Sequence, residues 1–247
     1  MRTVAIIQAR MGSSRLPGKV LMDVRGRTVL ARVVGRLSTS KRISDAVIAT
    51  TTSSLDEAIT NEANRMGVAC FRGPEHDVLA RYRGAAEAFH ADLVVRITAD
   101  CPLIDPEIVD EVIDTCVREQ ADFACNTLPR TFPRGLDSEV FTTDALLRAE
   151  AMSDQPYQRE HVTPLFYERH DLFRGRAIQA QQDYSKYRWT LDTPEDLALI
   201  RAIYSNFVNR DDFTWLEVLA LMQEMPQLSE INAHIRQKPM LETAAVN

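Results

Sequence analysis

The sequence predicts an α/β fold: a mostly parallel sheet with helices on both faces. Three observations carry that expectation. Short apolar runs alternate with helically periodic segments through the first hundred or so residues, cap and turn residues stand at the joints, and 247 residues suffice for a substantial core. A βαβαβαβ alternation also implies right-handed crossovers between parallel strands.

Val4-Ala5-Ile6-Ile7 is too short for a helix and precedes a Gly/Ser/Pro-rich stretch, so it reads as a buried central strand. Thr28 is placed to cap a helix whose apolar face is Val29, Leu30, Val33, Val34 and Leu37. A second strand follows at 46–51. Ser54 then reads as the cap of a helix carrying Leu55, Ile59, Ala63 and Met66 toward a stop at Gly67. The third strand is expected at 68–71, a helix from about 77 to 90, and the fourth strand at 93–97. Asp105 as N-cap and Pro106 at the first helical position open a helix with Ile108, Val109, Val112, Ile113, Cys116 and Val117 on one face. Another short strand is expected at 122–126.

From 128 to about 186 the alternation breaks. Pro129, Pro133 and Gly135 punctuate what reads as a hairpin-like insertion, in which Ser138-Glu139-Val140-Phe141 alternates polar and apolar. The chain is expected to rejoin the sheet at 186–191. Thr193, Pro194 and Asp196 signal the next helix through a capping box in its Asp form, which leaves Asp192 at a strand end with no capping task. Residues 1–210 therefore read as one domain and 211–247 as a helical extension. Its helices are expected at 213–222, where Phe213, Leu216, Val218, Leu219 and Met222 recur, and around Leu228, Ile231 and Ile235, with fraying from Lys238 onward.

Composition narrows the function. No apolar run is long enough for a membrane helix or a signal peptide, so a cytoplasmic protein that does not engage membranes is expected. Four cysteines show neither C-x-x-C nor zinc-ligand spacing and read as buried thiols. The net charge of −6 argues against a nucleic-acid partner, yet residues 1–42 carry ten Lys/Arg against one acid, Asp23. A local basic field in an acidic chain fits a small polyanion, although part of it can be a solvated helix face.

The basic region centres on Gln8-Ala9-Arg10-Met11-Gly12-Ser13-Ser14-Arg15-Leu16-Pro17-Gly18-Lys19. Gly12 and Gly18 permit close backbone approach, Ser13 and Ser14 supply hydroxyls, and Arg10, Arg15 and Lys19 supply three cations, a chemistry suited to a polyphosphate. It is not a P-loop: five residues separate the glycines, and Val20 stands where a Ser or Thr would bind magnesium. The dinucleotide fingerprint is also missing. A solvated surface loop is the plainer alternative. In parallel α/β folds ligands gather at the carboxyl ends of strands, here this loop, Thr50-Thr51-Thr52, Arg72-Gly73, and Thr98-Ala99-Asp100-Cys101-Pro102-Leu103.

The twelve residues from Gln8 to Lys19 resemble the signature loop of the cytidylyltransferases that activate acidic sugars, the 3-deoxy-manno-octulosonate and acylneuraminate enzymes, and most closely the spore-coat polysaccharide biosynthesis protein F family. The resemblance extends over about residues 1–236. It implies a Rossmann-like fold of the nucleotide-diphospho-sugar transferase type, the transfer of CMP from CTP to a hydroxyl of a sugar-type, acidic acceptor, and a homodimer. By that likeness Arg10, Ser13, Arg15 and Lys19 contact the triphosphate, with Gln8, Ala9, Gly12, Ser14 and Thr98 completing the nucleotide site. Asp100, in a turn that carries Ala99 where relatives often have Gly, and Asp192 are implied to hold Mg2+. Arg15, Lys19, Asp100 and Asp192 are then the catalytic set. Cytosine is expected near Thr50, Arg72 and Gly73, with Asp77 and Arg81 close in sequence. Phe132 to Phe141 and Arg159 to Pro164 resemble blocks that line the sugar pocket and the dimer contact, which makes Arg134, Asp137, Glu139, Arg159 and His161 candidate acceptor contacts. Arg159, Glu160 and His161 could equally be partners in a structural network, and Asp100 a mere turn residue ahead of Pro102. Other functional readings are a different NTP or a non-sugar acceptor, a glycosyltransferase, for which the usual Asp-x-Asp is missing, or a silent nucleotide-binding subunit.

Overall fold

The computed structural model describes residues 1–208 and 210–237. Its strands are β1 (Thr3–Gln8), β2 (Asp23–Val24), β3 (Arg27–Thr28), β4 (Asp45–Thr51), β5 (Ala69–Gly73), β6 (Leu93–Thr98), β7 (Phe123–Cys125), β8 (Glu139–Thr142) and β9 (Gly175–Ala177). The helices are α1 (Val29–Leu37), α2 (Glu57–Met66), α3 (Val78–Ala88), α4 (Pro106–Arg118), α5 (Thr143–Met152), α6 (Pro156–His161), α7 (Pro164–Glu168), α8 (Pro194–Asn206), α9 (Trp215–Glu224) and α10 (Gln227–Glu230). Seven strands form one sheet in the order β5-β4-β1-β6-β8-β7-β9, while β2 and β3 pair as a small separate hairpin. β1 lies between β4 and β6 and is parallel to both, as a central strand with four consecutive apolar residues should be.

Alternation along the strands divides the core in two. Ala5, Ile7, Ile48, Val95 and Ile97 face a cluster closed by α1, α2, α4, α8 and α9. Val4, Ile6, Val47, Ala49 and Val94 face the other, closed by α3, α5 and α7. Each fully buried Val or Ile contributes roughly 1.5–3 kcal/mol. Caps read from the sequence stand at Thr28, Asp105 and Thr193, each accepting backbone N–H bonds through its side chain. Asp105 does more than cap α4: its second oxygen accepts the N–H of Trp215 at 2.7 Å, so one carboxylate sits at the start of both α4 and α9. Cys101, Cys116 and Cys125 are buried and Cys70 half-buried, all as free thiols.

The structure departs from expectation in four places. The segment 128–186 is less of an insertion than its punctuation suggests, because β8 lies inside the main sheet, antiparallel to both β6 and β7, with Glu139, Val140 and Phe141 all buried. Strand order is a long-range property that local alternation does not encode. Residues 186–191 do not rejoin the sheet as a strand; Arg188 makes only an isolated bridge to Arg134. Ser53, rather than Ser54, caps a short 3-10 turn that runs into α2. Leu216, Val117 and Leu55 fit helical periodicity yet are exposed, since each lies at the margin of its apolar stripe. The expected fraying from Lys238 lies outside the described residues.

Candidate active site

The functional groups gather at the carboxyl ends of β1 and β6. β1 ends at Gln8, and the chain then makes a loop held from within by the N–H groups of Ser13 and Gly18, both donating to the carbonyl of Met11 at 2.9 and 3.0 Å. Gly18 adopts φ 70°, the left-handed conformation that glycine takes without steric cost, and turns the chain into a short 3-10 segment beginning at Lys19. Asp56, buried in the 3-10 turn that follows β4, anchors this loop from outside by accepting the N–H of Met11 at 2.7 Å while it also binds Thr51. Sequence reasoning missed Asp56. Its signal was an acid at the start of a helix whose cap role was already filled.

Loop geometry delivers Lys19 to the centre of the site. Its ammonium donates to Asp100 Oδ2 at 2.6 Å, Asp192 Oδ1 at 2.8 Å and the Leu191 carbonyl at 2.8 Å. Asp192 Oδ2 is met by Arg15 at 2.8 Å and by Arg188 at 2.9 Å. Burial alone would push the Asp192 carboxyl up; Lys19 foremost, then Arg15 and Arg188, outweigh it and hold the group down at about 2. Burial likewise pulls Lys19 down, and the two carboxylates outweigh it, leaving its pKa above that of an ordinary lysine. Arg188 is itself clamped on fully buried Asp196 by bonds of 2.9 and 3.0 Å, and Asn232 donates to Asp196 and to the Arg188 carbonyl. The sequence hinted at Arg188 only through its spacing of four and eight residues from Asp192 and Asp196.

A cleft of about 650 Å3 opens beside this cluster, lined by Gln8, Arg10, Gly12, Ser13, Ser14, Arg15, Lys19, Arg96, Thr98, Asp100, Asp192, Arg134, Glu160 and His161 among others. Thr98 Oγ1 donates to Asp100 Oδ1 at 2.6 Å and orients it. Arg96, a charge within an apolar strand, pairs with Glu139 across β6 and β8 and keeps a buried Nε without a partner among the described residues. The Arg134 guanidinium makes no hydrogen bond or ion pair with a described residue; burial first, then the like charge of Arg130, pulls its pKa down. Its backbone is fixed by Gly135, whose φ is 107° and at which a Cβ would lie 2.5 Å from the Trp189 carbonyl carbon. His161 is followed by Val162 at φ 71° and ψ −51°, a strained γ-turn closed by the Thr163 N–H on the His161 carbonyl at 2.8 Å.

Other expected contacts lie away from the cleft lining. Ala9 donates its N–H to the Ala49 carbonyl. Arg72 is held by the Thr51 and Ser53 carbonyls and Glu57, and Gly73 is buried in β5. Asp77 caps α3 and binds Arg159 at 2.7 Å, and Arg159 also reaches Glu150. Asp137 makes a bidentate pair with Arg130 at 2.6 and 2.7 Å, and Glu139 accepts from Thr163. Thr50 and Arg81 are completely buried, with Thr50 Oγ1 and two Arg81 nitrogens lacking partners among the described residues. Fold-supporting bonds therefore occupy Arg72 and Asp77 of the set expected around cytosine, and Asp137, Glu139 and Arg159 of that expected around the acceptor.

Two carboxylates, a carbonyl and a cationic loop thus share one cleft beside the ends of β1 and β6 in a mostly parallel sheet, and the matching family gives the class, a nucleotidyltransferase. The chain belongs to the cytidylyltransferase family, whose pattern matches residues 4–225, and it is a CTP-dependent nucleotidyltransferase. It is 36% identical over 246 residues to an uncharacterised protein of Methanocaldococcus jannaschii, covering 98% of this chain and 99% of that one. It is 34% identical to the spore coat polysaccharide biosynthesis protein SpsF of Bacillus subtilis, over 90% of this chain and 94% of the relative. A cytidylyltransferase structure from Leptospira borgpetersenii superposes with a TM-score of 0.90 at 34% identity, covering 97% and 99% of the two chains. A CMP:2-keto-3-deoxy-manno-octonic acid synthetase complexed with CTP shares the fold, with a TM-score of 0.65 at 19% identity over 84% of this chain and all of that one.

The donor set has the chemistry of a divalent-cation site. Asp100 Oδ2, Asp192 Oδ1 and the Leu191 carbonyl already surround one cation, the Lys19 ammonium, at 2.6–2.8 Å. Two carboxylates suit Mg2+, whose remaining positions phosphate oxygens and water fill, and no cluster of three or more His, Cys, Asp or Glu exists among the described residues to favour a richer site. The residues fit.

Proposed function

We propose that the protein transfers CMP from CTP to a hydroxyl of a sugar-type acceptor bearing a carboxylate, with release of pyrophosphate, in polysaccharide or glycoconjugate biosynthesis. The observation that carries this reading is the cleft itself, in which a phosphate-suited loop and two carboxylates share one space with Arg134, a cation lacking a partner among the described residues. Arg10, Arg15 and Lys19 bind the triphosphate and stabilise the charge that grows on the departing pyrophosphate, a task for which fixed cations in a partly dry site are suited. Asp100 and Asp192 are the residues that would hold Mg2+, and the ion would neutralise phosphate charge and acidify the attacking hydroxyl. Thr98 keeps Asp100 in place, and the loop aligns the phosphates for in-line attack. Arg134 pairs with the acceptor carboxylate, and His161 faces the same acceptor. A homodimer in the cytoplasm completes the reading.

Thermal-shift measurements with the four NTPs and Mg2+, followed by pyrophosphate release with a panel of acidic sugars, test it. A nucleotide present at 100 times its Kd stabilises the fold by about 2.7 kcal/mol. The expected result is a Mg2+-dependent shift selective for CTP and turnover confined to carboxylate-bearing acceptors; equal turnover with the neutral analogues would remove the acceptor assignment.

A further inference from the structure

We infer that in the nucleotide-free protein the Lys19 ammonium stands in for the divalent cation, so that metal enters only when the triphosphate draws Lys19 away. The inference rests on the proposed metal site and goes beyond it by assigning the free state and the order of binding. Lys19 Nζ has three N–H donors, and its three oxygen partners come from three chain positions: Asp100, Leu191 and Asp192. That is a filled cation shell. Asp100 and Asp192 are mostly shielded from water, with side chains 24% and 13% exposed, so leaving them unneutralised is costly.

A Mg2+ ion lies at 2.0–2.1 Å from its oxygens. Placed on Asp100 Oδ2 and Asp192 Oδ1, which sit 2.6 and 2.8 Å from Nζ, it would press against the ammonium. Repulsion between a dication and a monocation at such separation is severe in a partly dry site. The two cations therefore exclude each other. Lys19 has somewhere to go: its flexible stem carries rotatable donors, and Ser13, Ser14 and Arg15 line the cleft beside it, where phosphate oxygens arrive. When Lys19 turns to those oxygens, Asp100 loses its cation and Asp192 the one on Oδ1, and the two oxygens it leaves are open to the metal. Loss of nucleotide reverses the exchange, and linkage makes the coupling reciprocal.

The test is a Mn2+ titration followed by electron paramagnetic resonance, without nucleotide, on the wild-type chain and on Lys19→Met. The variant is expected to bind Mn2+ at least about tenfold more tightly than the wild type, within the usual range of such couplings. It should also lose CTP affinity. Equal Mn2+ affinity in the two proteins overturns the inference. Since Lys19→Met leaves Asp100 without a cationic partner and Asp192 with only Arg15 and Arg188, Lys19→Gln, which removes the charge and keeps hydrogen-bond donors, is titrated alongside and is expected to show the same direction. A variant that melts early in chelator and recovers with Mn2+ supports the exchange; one that Mn2+ does not restore contradicts it. Failure of the metal reading looks different: wild-type turnover would persist in chelator, and Asp100→Asn in the Lys19→Met background would leave Mn2+ binding untouched.

Discussion

Around Lys19 the charges lining the cleft answer one another, whereas around Arg134 they do not. Asp100 and Asp192 are matched by Lys19, Arg15 and Arg188, and Arg188 is locked in turn on Asp196. Arg134 stands beside Arg130, whose own carboxylate partner Asp137 is already used on both oxygens. A neutralised cluster holds its shape before ligand arrives and must rearrange when it does. An uncompensated cation has nothing to surrender and waits for an anion. The first arrangement suits a triphosphate with its metal, the second a carboxylate.

Breaking the matched side should have the largest effect. Asp100→Ala is expected to lower the rate of pyrophosphate release about 1000-fold, the scale of losing a central electrostatic group, with the fold intact by circular dichroism. Next is Gly135→Ala, which forces a Cβ to within 2.5 Å of the Trp189 backbone at φ 107°. We expect a loss of about 3 kcal/mol in chemical denaturation, together with weaker acceptor binding as Arg134 shifts. Arg134→Ala should raise the acceptor KM about tenfold or more and leave the CTP KM unchanged, as expected for removal of one charge-assisted contact. The smallest effect is reserved for Arg159→Ala. Its partners Asp77 and Glu150 are part of the fold, so a stability loss of up to about 1 kcal/mol with unaltered acceptor KM is expected. A raised acceptor KM in that variant would move Arg159 back to the acceptor side.

The same contrast marks how far the sequence can be read. Caps at Thr28, Asp105 and Thr193 were legible because a cap is a local contract between neighbours. That Arg10, Asp100 and Asp192 would share one cleft was legible from a specific resemblance, although the strand expected ahead of Asp192 does not form. What escaped was pairing at long range. Lys19 meets Asp192 across 173 residues, and Asp56 meets the Met11 backbone across 45. Glu139, an acceptor candidate by resemblance, pairs with Arg96 because β8 lies against β6, and nothing in its sequence neighbourhood reveals that pairing. Thr50, Arg72, Gly73, Asp77 and Arg81 were grouped by nearness to strand ends, and the structure sets them outside the cleft lining, with Arg72 and Asp77 engaged in bonds that support the fold.

Asp105 joins the starts of α4 and α9 through the two oxygens of one carboxylate, and the nearby guanidinium of Arg36 binds the carbonyls of Asp211 and Phe213. In evolutionary terms this makes the chain beyond residue 210 a poor module for exchange. A chain without it would leave one oxygen of Asp105 and the Arg36 guanidinium without these partners, and would uncover the groove that Phe213 fills. Descent by shuffling of that tail is disfavoured, and the two stretches are expected to vary in concert.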